Sequence, residues 1–381
     1  MFTGLFPFEH GARTVALSPR EKEEGTSNAA PLESDYLTLA EVLSVAGYRT
    51  GAIAANVSFL EAKYGLAQGF DHYDIARGKV HEVNERALAW IDEAPDEPFF
   101  LFLNYMDTHR PYNTDPVEGF DRVGDHRKII KPLKKRMLAG GEVPDEWLQI
   151  MSTDYDLSVA NLDLGLRDLF EALRSRGILD RALLVITSDH GEYLGEHDYI
   201  EHAKDVYQEV VHVPFLVKEP GQIEGRVDAD WISHVHIPGI ALDHARLPRD
   251  LPELAPLRSN WPRGPVVAEN YGARLRDLEE AWGARLNRVR RAYVSGDTKW
   301  IETSDGTEEL YDLVGDPGES SNLIEGSDDR AGELRKGLDA WKAARRDGES
   351  SKRVLIDAAE VSVLEELGYG PGSDEQEEED R

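Results

Sequence analysis

The 381-residue sequence contains no cysteine. That excludes disulfides, thiolate zinc sites and a cysteine nucleophile within these residues, and it leaves metal binding to Asp, Glu, His and Asn. No apolar run reaches the roughly 18 residues that a membrane span needs. The opening stretch, MFTGLFPFEHGART, has no basic region followed by a long apolar one and so does not read as a secretory signal; the protein is expected to be cytoplasmic. Positive charge is scarce. Lys and Arg number 43 against 73 Asp and Glu, a net charge of −30, and only 13 of the 43 are Lys. Such a surplus of carboxylates excludes a nucleic-acid backbone or an anionic membrane as a general partner and leaves a small or metal-bound substrate. Strong acidity with little Lys fits a halophilic protein, in which hydrated carboxylates maintain solubility and salt screens their repulsion. An ordinary acidic protein with a charged tail would show the same arithmetic.

What is present suffices for a substantial core, with 40% hydrophobic residues. Residues 14 to 35 are polar and read as a surface loop. Beyond them, helical spacing gives way to a short apolar run three times. Tyr36 to Ala46 precedes Thr50 to Val57, His81 to Ala94 precedes Phe99 to Met106, and about Asp145 to Arg176 precedes Ala182 to Thr187. The pattern continues with VPFLV from 213 and a helix near His236 to His244. Helices alternating with wholly apolar strands predict a mainly parallel sheet covered on both faces, with ligands beyond the C-terminal ends of the strands. Beyond Pro256, Arg290 to Ser295, Lys299 to Thr303 and Glu308 to Leu313 are separated by Gly-Asp and Asp-Gly turns, which predicts a small antiparallel sheet. A helix near Arg330 to Ala344 and the acidic tail GSDEQEEEDR close the chain. The expected units are 1–255, 256–345 and a tail over 346–381.

The residues just after the strands carry the chemistry. Asp189 and His190 follow ALLVIT and offer a carboxylate and an imidazole to one cation, with Gly191 allowing a sharp turn; a helix-capping Asp beside a surface His is the plainer alternative. His109 follows FFLFLNYM, where it could protonate a leaving group, bind an anion or simply be solvated. Lys204, in EHAK, could neutralise a tetrahedral anion or be an ordinary surface lysine. The basic cluster Lys128, Lys131, Lys134 and Lys135, in the stretch from Val117 to Pro144, reads either as a contact to an anionic substrate or as a solvated face.

Together these stretches resemble the sulfatase family of the alkaline-phosphatase-like superfamily. TSDHGEYLGEH (187–197), HAKDVYQEVVHVPFLV (202–217), THRPY (108–112), LTLAEVLSVAGYRT (37–50), QGFDHYD (68–74), WISHVHIPGIAL (231–242) and ELYDLVGDPGESSNL (309–323) carry the resemblance. It implies an α/β/α sandwich with a mainly parallel central sheet and a small C-terminal antiparallel sheet. It further implies hydrolysis of a small-molecule sulfate ester, with Asp189 and His190 ligating a divalent cation, usually Ca²⁺, with Mn²⁺ or Zn²⁺ as alternatives. Lys204 and His109 would act as catalytic contacts to the ester, and His202 and Asn56 would add to substrate binding. The Asp-His pair, where many arylsulfatases carry Asp-Asn, resembles the branch with choline sulfatases and phosphonate monoester hydrolases, so phosphonate monoester or phosphodiester hydrolysis is the alternative.

The sequence departs from the family in two places. Ala54-Ala55-Asn56 stands where the family has Gly-Lys, so Asn56 replaces a cation with a neutral hydrogen-bonding group. Met1-Phe2-Thr3-Gly4 resembles the end of the motif whose Cys or Ser becomes formylglycine. By that resemblance the nucleophile and two Asp metal ligands lie upstream of residue 1. The polypeptide as written is then expected to lack a central strand, to fold poorly and not to turn over sulfate esters; an inactive fragment or pseudoenzyme is the non-catalytic alternative.

Overall fold

All three helix-to-strand steps are present in the computed structural model, which describes residues 1–15, 20, 24–138, 142–247, 252–258, 265–272, 286, 288–348, 352–357 and 359–362. The first step begins at a capping box. Thr38 Oγ1 accepts from the Glu41 N–H at 3.2 Å and the Glu41 carboxylate accepts from the Thr38 N–H at 2.8 Å, starting α1 (Leu39–Val45). Strand β1 (Arg49–Ala54) follows, then β2 (His72–Ile75), α2 (Val80–Glu93) and β3 (Phe99–Asn104). These strands form a parallel sheet in the order β2-β1-β3. The stretch from 117 to 144 that carries the lysine cluster holds a further helix, α3 (His126–Leu138), with Pro132 inside it. The long α4 (Asp145–Ser175) then leads into β4 (Leu184–Thr187).

The sheet is covered on both faces. Ile53, Val83, Ala87, Trp90, Ile91 and Ile178 pack between the sheet, α2 and the end of α4. Leu39, Leu43, Leu242, Leu254 and Leu257 pack on the other side, bringing in α5 (Ile237–His244). The expected α/β/α arrangement is therefore present, with one difference in strand pairing. After the short hairpin of β5 (Tyr193–Leu194) and β6 (Ile200–Glu201), β7 (Phe215–Lys218) pairs antiparallel with β4 as a separate two-stranded sheet. Among the described residues no ladder joins β3 to β4, and all residues of both strands are only half-buried. An apolar run reports that a strand wants cover; it does not report which neighbour supplies it or in which direction that neighbour runs.

The C-terminal sheet is continuous and antiparallel, in the order β11-β10-β9-β8. Its strands are β8 (Val266–Asn270), absent from the sequence reading, β9 (Arg290–Ser295), β10 (Thr298–Thr303) and β11 (Glu308–Asp312). Helix α6 (Asp328–Ala343) covers one face through Leu334, Leu338 and Trp341, packed on Trp300 and Leu310. Residues 2 to 8 connect the two regions. The ring of Phe2 meets Phe102 of β3 edge-on at 4.9 Å, whereas Phe6 and Phe8 lie 5.0 and 5.6 Å from Trp341. The acidic tail expected at the end lies largely outside the described residues. Among the described residues no helix is long and apolar enough to cross a membrane.

Candidate active site

The segments that leave β3, β4 and β6 converge. Asp107 anchors the first. Its buried carboxylate accepts from the Val80 N–H at the start of α2 (3.3 Å) and from Asn113 Nδ2 (2.8 Å), while its carbonyl accepts from the Asn113 N–H (2.9 Å). Burial pushes this carboxyl up, partly offset by those hydrogen bonds. The loop closed in this way presents His109, whose Nδ1 donates to the Arg110 carbonyl at 2.6 Å. Burial pulls the imidazole below its ordinary value against the opposing charge of Glu192, so the neutral ring is favoured.

In the segment after β4, His190 Nδ1 donates to the Gly191 carbonyl at 2.8 Å and Nε2 stands 3.7 Å from Asp189 Oδ2. The role of Gly191 differs from the expected sharp turn. A Cβ there would sit 2.0 Å from the Glu209 carbonyl oxygen, and the Gly191 N–H bonds the Val210 carbonyl at 2.9 Å, so the glycine permits close backbone approach. The His190 ring stacks on His202 at 4.1 Å, and the His202 ring meets His109 edge-on at 5.0 Å. His202 Nδ1 lies 3.0 Å from Glu192 Oε1, both nearly buried, a pairing that fixes ring orientation and tautomer.

Lys204 belongs to the same cluster and is no surface lysine. Its fully buried ammonium lies 3.7 Å from Glu201 Oε2. Glu201, itself 2% exposed, also takes Arg110 Nη2 at 2.7 Å and Lys134 Nζ at 3.0 Å. The connecting backbone is strained. His197, Asp198, Glu201 and Ala203 all have φ between 54° and 64°, the left-handed region that costs a non-glycine residue about 1–2 kcal/mol. Buried ion pairs from the C-terminal sheet hold this loop. Arg290 of β9 binds Asp205 at 2.6 Å and Glu309 at 2.7 Å, and Lys299 of β10 binds Glu319 at 2.8 Å, whose carboxylate also accepts from the Gln208 N–H at 2.6 Å. His197 stacks on Tyr207 at 3.8 Å.

Two further groups have other work. Asn56 sits beyond β1 with its Oδ1 accepting from the Ser58 and Phe59 N–H groups, both at 3.0 Å, so this oxygen closes a turn. Asp125, His126 and Asp154 lie close enough for their donor atoms to share an ion. Asp154, however, accepts a bidentate pair from Arg122 (2.7 and 2.7 Å) and the His126 N–H (2.9 Å), with His126 Nδ1 at 2.8 Å. Its lone pairs are spent anchoring the start of α3, so the cluster reads as a clamp.

Residues 1–247 match the family model described as Sulfatase. The chain belongs to the sulfatase family. It is 26% identical over 270 residues to an uncharacterized sulfatase, YidJ, of Escherichia coli (strain K12), covering 67% of this chain and 53% of that one. The chain spans about half the length of the curated relatives it matches. Among solved structures, a putative sulfatase from Bacteroides thetaiotaomicron superposes with a TM-score of 0.64 at 19% identity, over 94% of this chain and 84% of that one. A phosphonate monoester hydrolase from Silicibacter pomeroyi gives 0.64 at 16% identity, over 92% and 86%. At these identities the likeness establishes the fold alone.

For this sulfatase-family chain, sequence reasoning missed Glu192 and Arg110, although both stand inside stretches that carried the resemblance, and Glu201, which immediately precedes one. It also missed Arg290 and Lys299. Their signal was present: a cation among apolar residues on a short strand is a candidate for inward, paired burial.

Proposed function

We propose that the site binds a small-molecule sulfate ester beside a divalent cation, and that the protein acts as a sulfuric-ester hydrolase. The observation that carries the reading is the meeting of His190, His202 and His109 in one group of ring contacts, with Lys204 two residues from His202. A cation fits at Asp189 and His190. The Gly191 carbonyl engages His190 Nδ1 and leaves Nε2 3.7 Å from a carboxylate oxygen, so an imidazole nitrogen and a carboxylate are placed where both could ligate one positive ion. Ca²⁺ is the ion proposed; it takes 6–8 ligands in all, so this pair supplies part of its shell. When bound, it would stabilise negative charge on the transferring group.

The family's formylglycine does not fit a side chain of this cluster. The nearby hydroxyl, Ser188 Oγ, is committed to the His190 carbonyl at 2.6 Å. The roles proposed for this chain's residues are therefore binding, orientation and proton placement. The Lys204 ammonium would offset charge on the ester oxygens. His109 can give a proton from Nε2 only as imidazolium, because Nδ1 is held by the Arg110 carbonyl; its lowered pKa makes that imidazolium a stronger acid, populated toward acid pH. Glu192 would orient His202 beside the ester.

Thermal unfolding of the whole chain, read with Ca²⁺ and an aryl sulfate, tests the proposal. Ligand at about 100 times its Kd should add about 2.7 kcal/mol. Asp189→Asn should abolish the Ca²⁺ response and Lys204→Met the aryl sulfate response. No response of the wild-type chain to either probe would overturn the reading. A larger response to an aryl phosphodiester would move it to the phosphonate and phosphodiester alternative, and binding without turnover would favour the non-catalytic one.

A further inference from the structure

Of the four lysines in the basic cluster, Lys128, Lys131 and Lys135 are exposed and only Lys134 turns inward. Its side chain is 9% exposed and its Nζ lies 3.0 Å from Glu201 Oε2, the oxygen that Lys204 also approaches. Arg110, 15% exposed, takes the other oxygen of the same carboxylate. Three cations thus share one buried carboxylate in a molecule whose net charge is −30. Their hydrogen-bonding capacity is not used up. Lys134 Nζ and Arg110 Nε are buried with no acceptor in hydrogen-bonding geometry. Buried donors of this kind are costly unless an acceptor arrives. Arg110 adjoins His109 in sequence, and both donors share Glu201 with Lys204, which ties them to the proposed ester site.

Resting on the sulfate-ester reading, we propose that Arg110 and Lys134 form a second anion subsite, which selects esters carrying another anionic group, a sulfate or a carboxylate, close to the sulfate that is cleaved. Glu201 holds the two cations and Lys204 at fixed separation while leaving Lys134 Nζ and Arg110 Nε to bind the second group. An isolated sulfate ester would leave those donors unsatisfied, which is the physical basis of the discrimination.

The test compares affinities of the whole chain, with Ca²⁺ present, for methyl glucoside 6-sulfate, its 2,6-disulfate and a methyl glucuronide 2-sulfate. One well-made charged hydrogen bond predicts binding about tenfold tighter for at least one doubly anionic probe than for the monosulfate. Preference for the disulfate or for the glucuronide sulfate identifies the second group. Lys134→Met should bring the ratio to about one and Lys134→Arg should retain it; if Lys134→Met does not fold, Arg110→Gln is read by the same ratio. A wild-type ratio near one for both doubly anionic probes, or a ratio unchanged in the Met variant, overturns the subsite and leaves the sulfate-ester reading standing. Failure of all three probes to bind overturns both.

Discussion

Strand β3 reads FFLFLN and strand β9 reads RRAYVS, yet the first is half-buried along its whole length and the second buries four of its six residues, Arg290 among them. The more apolar strand is the less covered one. The difference lies in partners. Strand β9 sits between β8 and β10 in one continuous ladder beneath α6, with its cations matched by Asp205 of a loop and by Glu309, Glu269 and Glu302 of neighbouring strands. Strand β3 has β1 on one edge and, among the described residues, no ladder on the other. Hydrophobicity sets the drive to bury a strand, and tertiary neighbours set how much of it is buried.

The comparison breaks most sharply at the ion pairs. Lys299→Met leaves Glu319 buried without its partner and should cost about 3–5 kcal/mol in urea unfolding. Adding Glu319→Leu should recover most of that loss, since a buried pair contributes little beyond an apolar match of its shape. A double variant no more stable than the single one would show that Glu319 is needed for its bond to the Gln208 N–H. Core truncation sharpens the contrast. Ile301→Ala, fully buried in β10, should cost about 2–5 kcal/mol, whereas Leu101→Ala, half-buried in β3, should cost about 1–2 kcal/mol. Equal losses would mean that both strands are equally covered in solution.

The segment that connects the regions responds to pH. Burial, reinforced by the amino terminus and Arg13, pulls His10 from 6.5 to about 4, and its Nδ1 accepts from the Ala12 N–H at 3.1 Å. Its folded-state value lies below the unfolded one, so between these values the unfolded chain binds the extra proton. Stability from this group is complete above pH 6.5 and is lost as pH falls toward 4, at about 1.4 kcal/mol per pH unit. Denaturation series at pH 7, 5.5 and 4.5 should show that slope reduced in His10→Gln; an unchanged slope would place the acid sensitivity elsewhere.

Much of this was legible in advance because local rules act locally. Thr38 and Glu41 mark the start of α1 through a four-residue capping box, and Gly177, with φ of 64°, stands just past the end of α4. The hairpin at Gly296 and Asp297 carries its own turn chemistry. Helix α3 escaped notice because Pro132 and six Lys and Arg residues within it obscure its apolar positions. At the site, Asp189, His190, His109 and Lys204 could be named from their places after strands. Glu192 and Glu201 could not be distinguished from other surface carboxylates, since their importance comes from partners far away in the chain, Arg110 and Lys134 in the case of Glu201.

The sequence by itself determined the order of helices and strands, the sulfatase-family relationship and the identity of the residues that follow the strands, because each depends on short-range pattern. The tertiary structure decided that β4 pairs antiparallel with β7, that Asn56 serves a turn, and that Lys134 alone of its cluster faces inward onto Glu201. Those outcomes depend on which distant groups compete for one buried carboxylate or one free strand edge, and close packing and charge pairing resolve that competition only once the chain is folded.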